Sequence, residues 1–374
     1  MKFKHIALIA ALPLVALASQ AQAAPAETIE NSYICVFKNN SVSRGNVRAE
    51  SNRAVQAAGG QLRHVYSFAV RGFSANMAAE AVERAKAANP NIAYCEQDQV
   101  ARAIQLRAFA RPGGGATQPA QTTPWGIARV NGGNGGLNGT YSTAWIIDTG
   151  IEFTHPDLNV DTARSRSFLD RDTSPVDQNG HGTHVAGTVA ALANTIGVIG
   201  VAPGAPVVAV RVLDRRGSGS YSGVIGGVDY VAQVGKAGDV ANMSLGGGVS
   251  QTLDDAVIAA AAGGVRFALA AGNDSGDANL HSPARANGTN VFTVSAFAAG
   301  DKFASFSNFG NPPIDFSEPG VGVNSTWLSG GYNTISGTSM ATPHLAGLLL
   351  TGAVKSGGNV TGDPDGNADV IGVR

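Results

Sequence analysis

The chain holds 374 residues, 44% hydrophobic and 14% charged, with a formal net charge of −1. Charge this close to neutral excludes the basic field of a nucleic-acid binder. Its 49 glycines and 16 prolines follow no G-X-Y period and stay below the roughly 25–30% of low-complexity chains. Two cysteines exclude a disulfide-stapled miniprotein and a four-cysteine zinc site, and the length predicts roughly two or three domains.

Lys2 and Lys4 precede an apolar run over 6–18, and Ala21-Gln22-Ala23 supplies the small residues a signal peptidase reads. Residues 1–23 therefore read as a secretory signal, too short in its apolar run to span a bilayer. No later segment reaches ~18 uninterrupted strongly apolar residues. The expectation is an exported protein, periplasmic or extracellular, with no membrane contact after signal removal and with disulfides permitted.

Residues 32–100 read as a small α+β unit. Strand runs at 33–37, 61–68, 72–76 and 92–96 alternate with helix-like 46–58 and 78–89, the βαββαβ order of a ferredoxin-like split βαβ. That topology makes the first and last strands antiparallel neighbours. Cys35 and Cys95 lie on them, either bridged or as two reduced, buried small hydrophobes. Residues 101–119 carry Arg102, Arg107, Arg111, Pro112 and a Gly113–Gly115 run without periodicity, which reads as an exposed linker open to cleavage.

Beyond Trp125, apolar runs at 143–147, 207–213, 240–244, 266–271, 291–296 and 314–316 predict strands. Stretches 182–192, 222–233, 252–262 and 338–354 predict helices. Near-continuous apolar strands with helices between them predict a mostly parallel sheet covered on both faces. Residues 24–119 hold 11 basic and 7 acidic groups, residues 120–374 hold 13 and 20, so the two parts carry opposite charge.

Asp148 follows the apolar run Ala144–Ile147, at the carboxyl end of a parallel strand where open α/β sheets build sites. His181 lies in Asn179-Gly-His-Gly-Thr-His184 and Ser339 in Ser336-Gly-Thr-Ser-Met-Ala-Thr-Pro343, each at a helix entry. A serine hydroxyl needs an imidazole to take its proton, and the imidazole needs a carboxylate to hold its tautomer. Asn273, at the end of an apolar strand, is either a turn former or a second oxyanion donor. His181 and His184 have metal-compatible spacing, but no HExxH and no nearby cysteine accompany them. The surroundings of Ser339 are not GxSxG.

Asp148-Thr-Gly, Asn179–Gly187 and Gly337–His344 resemble the three signatures of the subtilisin-like serine proteases, peptidase family S8, close to the subtilisin and proteinase K group. Residues 32–100 resemble the inhibitory propeptide of that family, of the inhibitor I9 type. The resemblance implies a secreted, monomeric serine endopeptidase acting on proteins and peptides. It would be made as a self-cleaving zymogen whose propeptide is folding aid and inhibitor. The divisions are a signal over 1–23, a propeptide over 24–103, a processing linker over 104–119 and a catalytic domain over 120–374. The first cut is expected after Ile104, with later trimming to Ala120.

The implied roles are nucleophile for Ser339, base for His181, orienting carboxylate for Asp148 and oxyanion donor for Asn273. Gly217-Ser218-Gly219 and Ser244-Leu245-Gly246 resemble the edges that hold a peptide as an added strand. Ala270 and Gly272 resemble the wall of a roomy pocket for large apolar residues before the scissile bond, and Tyr221 a lid over a more distant one. Gln121, Asp157, Leu192, Asn194, Ile196 and Val198 match a structural Ca²⁺ site, whose oxygen-only donors suit that ion. Residues 363–369, DPDGNAD, have a calcium-loop composition but no distal Glu, so they read as a solvated acidic tail. The chain ends early after Ser339, so the family's last helices are expected to be missing or replaced. A catalytically silent peptide binder and a metal-dependent hydrolase on His181 and His184 are the competing classes.

Overall fold

The computed structural model describes residues 26–104, 118–133 and 140–374. The signal reading and most of the linker lie outside the described residues.

The N-terminal unit comprises β1 (Thr28–Phe37), α1 (Val47–Ala58), β2 (Gln61–Tyr66), β3 (Gly72–Asn76), α2 (Ala79–Ala88) and β4 (Ile92–Ala103). This is the expected βαββαβ order, and its strands lie β4-β1-β3-β2, all antiparallel. Val47, Ser51, Ala54, Val55 and Ala58 form the buried stripe of α1, one helical face by their spacing. The helix stops at Gly59, whose φ of 70° suits only a residue without Cβ strain. Cys35 and Cys95 are directly opposite on β1 and β4 and form a disulfide, which settles the open alternative.

The large unit comprises α3 (Trp125–Arg129), β5 (Ala144–Asp148), β6 (Arg166–Ser167), α4 (His181–Ala190), β7 (Val207–Arg211), β8 (Ser218–Ser220), α5 (Tyr221–Val234), β9 (Val240–Met243), β10 (Leu245–Gly246) and α6 (Gln251–Ala262). It continues with β11 (Arg266–Ala270), β12 (Val291–Ala298), β13 (Lys302–Phe303), β14 (Ile314–Pro319), β15 (Val323–Trp327), β16 (Gly331–Ile335), α7 (Thr338–Thr351), β17 (Lys355–Asn359) and β18 (Val370–Val373). The sheet runs β17-β18-β14-β12-β11-β9-β5-β7-β6, parallel from β18 to β6. Side chains alternate across it. Trp145, Ile147, Val208 and Val210 pack towards α5 and α6, while Ala144, Ile146, Val207 and Ala209 pack with residues of α4 and α7. Two apolar faces explain why these strands read as continuous apolar runs. Strand order reverses around β5, so the crevice at its carboxyl end is the natural site of the fold.

Two expectations need correction. Residues 101–103 are not linker. They extend β4, because its last third pairs with β8 and β10 of the large unit rather than with its own. The acidic segment is exposed over 364–368, as expected, but its last carboxylate is not. Asp369 is 2% exposed and accepts a hydrogen bond from Ser295 Oγ, and β18 joins β14 in the central sheet. Ile371 and Val373 pack there with Phe297, Phe303 and Val360, so two strands stand where helices were expected to be missing or replaced. The hairpin β15–β16 carried no clear signal in the sequence.

Candidate active site

Asp148 ends β5, and its Oδ1 accepts from Thr149 N–H at 2.6 Å and meets His181 Nδ1 at 2.8 Å. His181 opens α4. Its N–H donates to Asn179 Oδ1 at 3.1 Å, and Gly180 precedes it at φ 108°. A Cβ on Gly180 would stand 2.4 Å from the Trp327 ring, so the helix entry requires glycine twice over. Ser339 is the second residue of α7. Pro343 has no N–H to give to the Ser339 carbonyl four residues earlier. Ser244 Oγ supplies that bond instead at 2.9 Å, and the Ser339 hydroxyl donates back to Ser244 O at 2.9 Å. His181 Nε2 makes no hydrogen bond in this arrangement. Asp148, His181 and Ser339 are fully buried.

They are covered by β4. Ala101 and Arg102 register with Gly219 and Ser218 on β8, and Arg102 and Ala103 with Gly246 and Leu245 on β10, both antiparallel. Ala103 N–H donates to Gly217 O at 2.9 Å, and Ile104 N–H to Ser244 O at 3.3 Å. The two segments expected to grip a peptide thus grip the chain's own strand. Asn273 Oδ1 is pinned by Thr338 N–H at 2.9 Å and Thr338 Oγ1 at 3.0 Å, which turns Nδ2 to the Ile104 carbonyl at 3.3 Å.

Ile104 adjoins a cavity of about 420 Å³ whose walls include Gly246, Ala270, Gly272 and Asn273. Asp274 and His281 also line it, with Asp274 Oδ2 3.6 Å from His281 Nε2, a polar wall that the sequence reading missed. Tyr221 is fully buried at the start of α5, in one cluster with Ala101 of β4, and its hydroxyl lies 2.7 Å from Gly248 O and 3.0 Å from Ser282 O, within reach of both loops.

The N-terminal unit also docks through carboxylates. Asp98 accepts from Ser222 N–H at 3.0 Å and Ser222 Oγ at 2.6 Å, and Asp229 accepts the N–H groups of Ser67, Phe68 and Ala69. Burial pushes both carboxyls above the usual range. His64 and Arg63 face Asp170 and hold its carboxyl well below that range.

His184 points elsewhere. Its Nε2 meets Val323 O at 3.1 Å and Asn333 O at 3.2 Å, and burial lowers its pKa to about 3. It ties α4 to the β15–β16 hairpin and is not paired with His181 around a common centre.

The six residues of the other expected site do converge. Gln121 Nε2 lies 2.8–3.4 Å from Leu192 O, Asn194 Oδ1, Ile196 O and Val198 O. Asp157 accepts from Asn194 Nδ2 at 2.8 Å and Val198 N–H at 3.1 Å. Four oxygens thus surround one amide nitrogen, with a carboxylate behind them.

The description "Subtilase family" matches residues 144–354. Alkaline serine exoprotease A of Vibrio alginolyticus is 42% identical over 296 residues, 77% of this chain and 52% of that protein, so the chain spans about half its length. The cuticle-degrading protease of Metarhizium anisopliae is 38% identical over 333 residues, covering 86% and 79%. Subtilisin E of Bacillus subtilis is 37% identical over 335 residues, covering 87% and 81%. A crystal structure of a cold adapted subtilisin-like serine proteinase, 41% identical, superposes with a TM-score of 0.58 over 66% of this chain and 96% of that one. The chain belongs to the subtilase family, peptidase S8, a family of serine endopeptidases.

Proposed function

We propose that this chain is a secreted endopeptidase made as a zymogen that cuts itself after Ile104. The observation that carries the reading is the Ile104 carbonyl on Asn273 Nδ2, at the end of a strand laid between β8 and β10. The Ser339 hydroxyl turns from Ser244 O to His181 Nε2, gives up its proton and attacks the Ile104 carbonyl carbon. Asp148 holds the imidazole in the tautomer that leaves Nε2 free and stabilises the cation that forms. Asn273 Nδ2 donates to the oxyanion; in subtilisin, the measured case, loss of this donor costs roughly 10²–10³ in kcat. His181 then protonates the leaving amine of Gln105, and water repeats the sequence on the acyl-enzyme.

The same cleft takes substrate proteins as an added strand. Its small-walled cavity favours large apolar side chains before the scissile bond, and β-branched Ile104 leaves part of that space unfilled. The N-terminal unit inhibits by occupying the cleft. Gln121, Asp157, Leu192, Asn194, Ile196 and Val198 fit a Ca²⁺ ion once the Gln121 amide turns its oxygen inward, since amide orientation follows the local network. Bound there, the ion would cross-link the segment around Gln121 to the 192–198 loop.

Intact mass of the full chain and of Ser339→Ala tests the reading. The wild type should split after Ile104 while the variant stays whole. If a folded wild type also stays whole, self-cleavage is wrong.

A further inference from the structure

Asp177 lies between the two segments that carry Asp148 and His181 and is 5% exposed. Its Oδ1 accepts from Asn179 N–H at 2.8 Å, Gly180 N–H at 3.0 Å and the Thr149 hydroxyl at 2.9 Å. Its Oδ2 accepts from Thr183 N–H at 3.0 Å and the Thr183 hydroxyl at 2.7 Å. Both hydroxyls direct their proton to Asp177 while accepting elsewhere, Thr149 Oγ1 from Gly182 N–H at 2.8 Å and Thr183 Oγ1 from Glu152 N–H at 3.0 Å. Every partner of the Asp177 side chain is thus a donor, as an ionised carboxylate requires.

The network reaches the reacting groups through two short links. Thr149, held by Asp177, gives its N–H to Asp148 Oδ1 at 2.6 Å. Gly180 and Thr183, held by Asp177, bracket His181 in the first turn of α4. Arg211, 1% exposed on β7, braces the loop from behind by donating to Ser174 O at 2.9 Å and Val176 O at 3.0 Å.

We propose that Asp177 is a positioning residue for the proton relay: its carboxylate clamps the end of β5 to the start of α4 and so sets the Asp148–His181 hydrogen bond. It touches none of the reacting atoms. The inference rests on the catalytic roles proposed above for Asp148, His181 and Ser339. Asparagine keeps the shape but fails in either orientation. Its NH₂ would oppose three donors in the Oδ1 position or two in the Oδ2 position.

The test compares Asp177→Asn, Thr149→Val and Thr149→Ser on a peptide substrate, well below each melting temperature. A displacement of about 1 Å at the relay costs on the order of 10²-fold in rate. Asp177→Asn should lower kcat on that order with KM within twofold. The low-field proton NMR signal of His181 Nδ1–H should shift or broaden. Thr149→Val should move kcat the same way, and Thr149→Ser, which keeps the hydroxyl, should recover most of it. If Asp177→Asn does not fold, the Thr149 pair decides by the same criterion. A lower melting temperature with unchanged kcat and an intact low-field signal overturns the proposal, as does equal kcat in Thr149→Val and Thr149→Ser. Activity surviving in Ser339→Ala would instead overturn the triad on which it stands.

Discussion

Ser339 shows how one residue's backbone and side chain are governed by different neighbours. Pro343 removes the helical partner of its carbonyl, Ser244 replaces that partner, and the same Ser244 holds the hydroxyl through its own carbonyl. The proposed nucleophile is therefore held away from His181 while β4 covers it. Asp148 is the residue whose protonation chemistry is most exposed to substitution. In Asp148→Asn an amide NH₂ would face His181 Nδ1 and force the proton onto Nε2, which then cannot act as base. Precedent for this change in a serine-protease triad puts the loss near 10⁴ in kcat. We expect that order of loss, with KM little changed, in steady-state peptide kinetics; a loss under tenfold would remove Asp148 from its role. Asp148, His181 and Ser339 were legible because their motifs are local strings. Asp177, Asp274 and His281 were not, because their roles depend on which distant backbone donors or cavity walls they meet.

At the scale of elements, β4 has two different tasks along its length. Its first part is cross-linked to β1 through Cys35–Cys95, and its last residues, together with Ile104, lie in the cleft. The bridge closes a sequence separation of 60 residues, which restricts the unfolded N-terminal unit by about 4 kcal/mol in the chain-entropy account. Both cysteines of the chain lie in this unit, so a reductant acts on the proposed inhibitor and leaves the rest of the chain untouched. Replacing both by Ser should lower the first melting transition of the Ser339→Ala chain and shorten the lag of self-activation in the active chain. An unchanged lag and an unchanged transition would show the bridge to be without consequence. Strand and helix periods made most elements legible to within a few residues. The end of β4 escaped because its partners, β8 and β10, are more than a hundred residues away.

Across the whole molecule, folding buries several carboxyls. Burial pushes Asp254 up to about 7, and Asp315 and Asp369 to about 6. In the unfolded chain such groups titrate near 4. Between about pH 4 and 7 the folded molecule therefore holds protons that the unfolded chain has released, and stability falls as pH rises through this window. Asp170, held low by His64 and Arg63, and Asp301, held low by Arg129, titrate below it. The melting temperature of Ser339→Ala should drop from pH 5 to 7.5, and Asp254→Asn should flatten part of that slope; an identical slope would acquit Asp254. Calcium belongs to the same scale, because its proposed donors come from three separate stretches of the chain. Millimolar Ca²⁺ should raise the melting temperature of Ser339→Ala by several degrees and leave Asp157→Asn in that background unmoved. A shift of equal size in both would place the ion elsewhere.

By itself the sequence determined the order βαββαβ followed by a mostly parallel sheet, the family signatures, and, through them, the candidate roles of Asp148, His181, Ser339 and Asn273. These are encoded in short strings and in the periods 2 and 3.6, which residues within one element carry alone. Tertiary structure decided what no string encodes. It placed Ile104 on Asn273, paired Cys35 with Cys95, set Val370–Val373 as a strand beside β14 with Asp369 buried at its start, and gathered five donors around Asp177. Each of these depends on burial against a partner far along the chain, and burial is set only when the whole sheet closes.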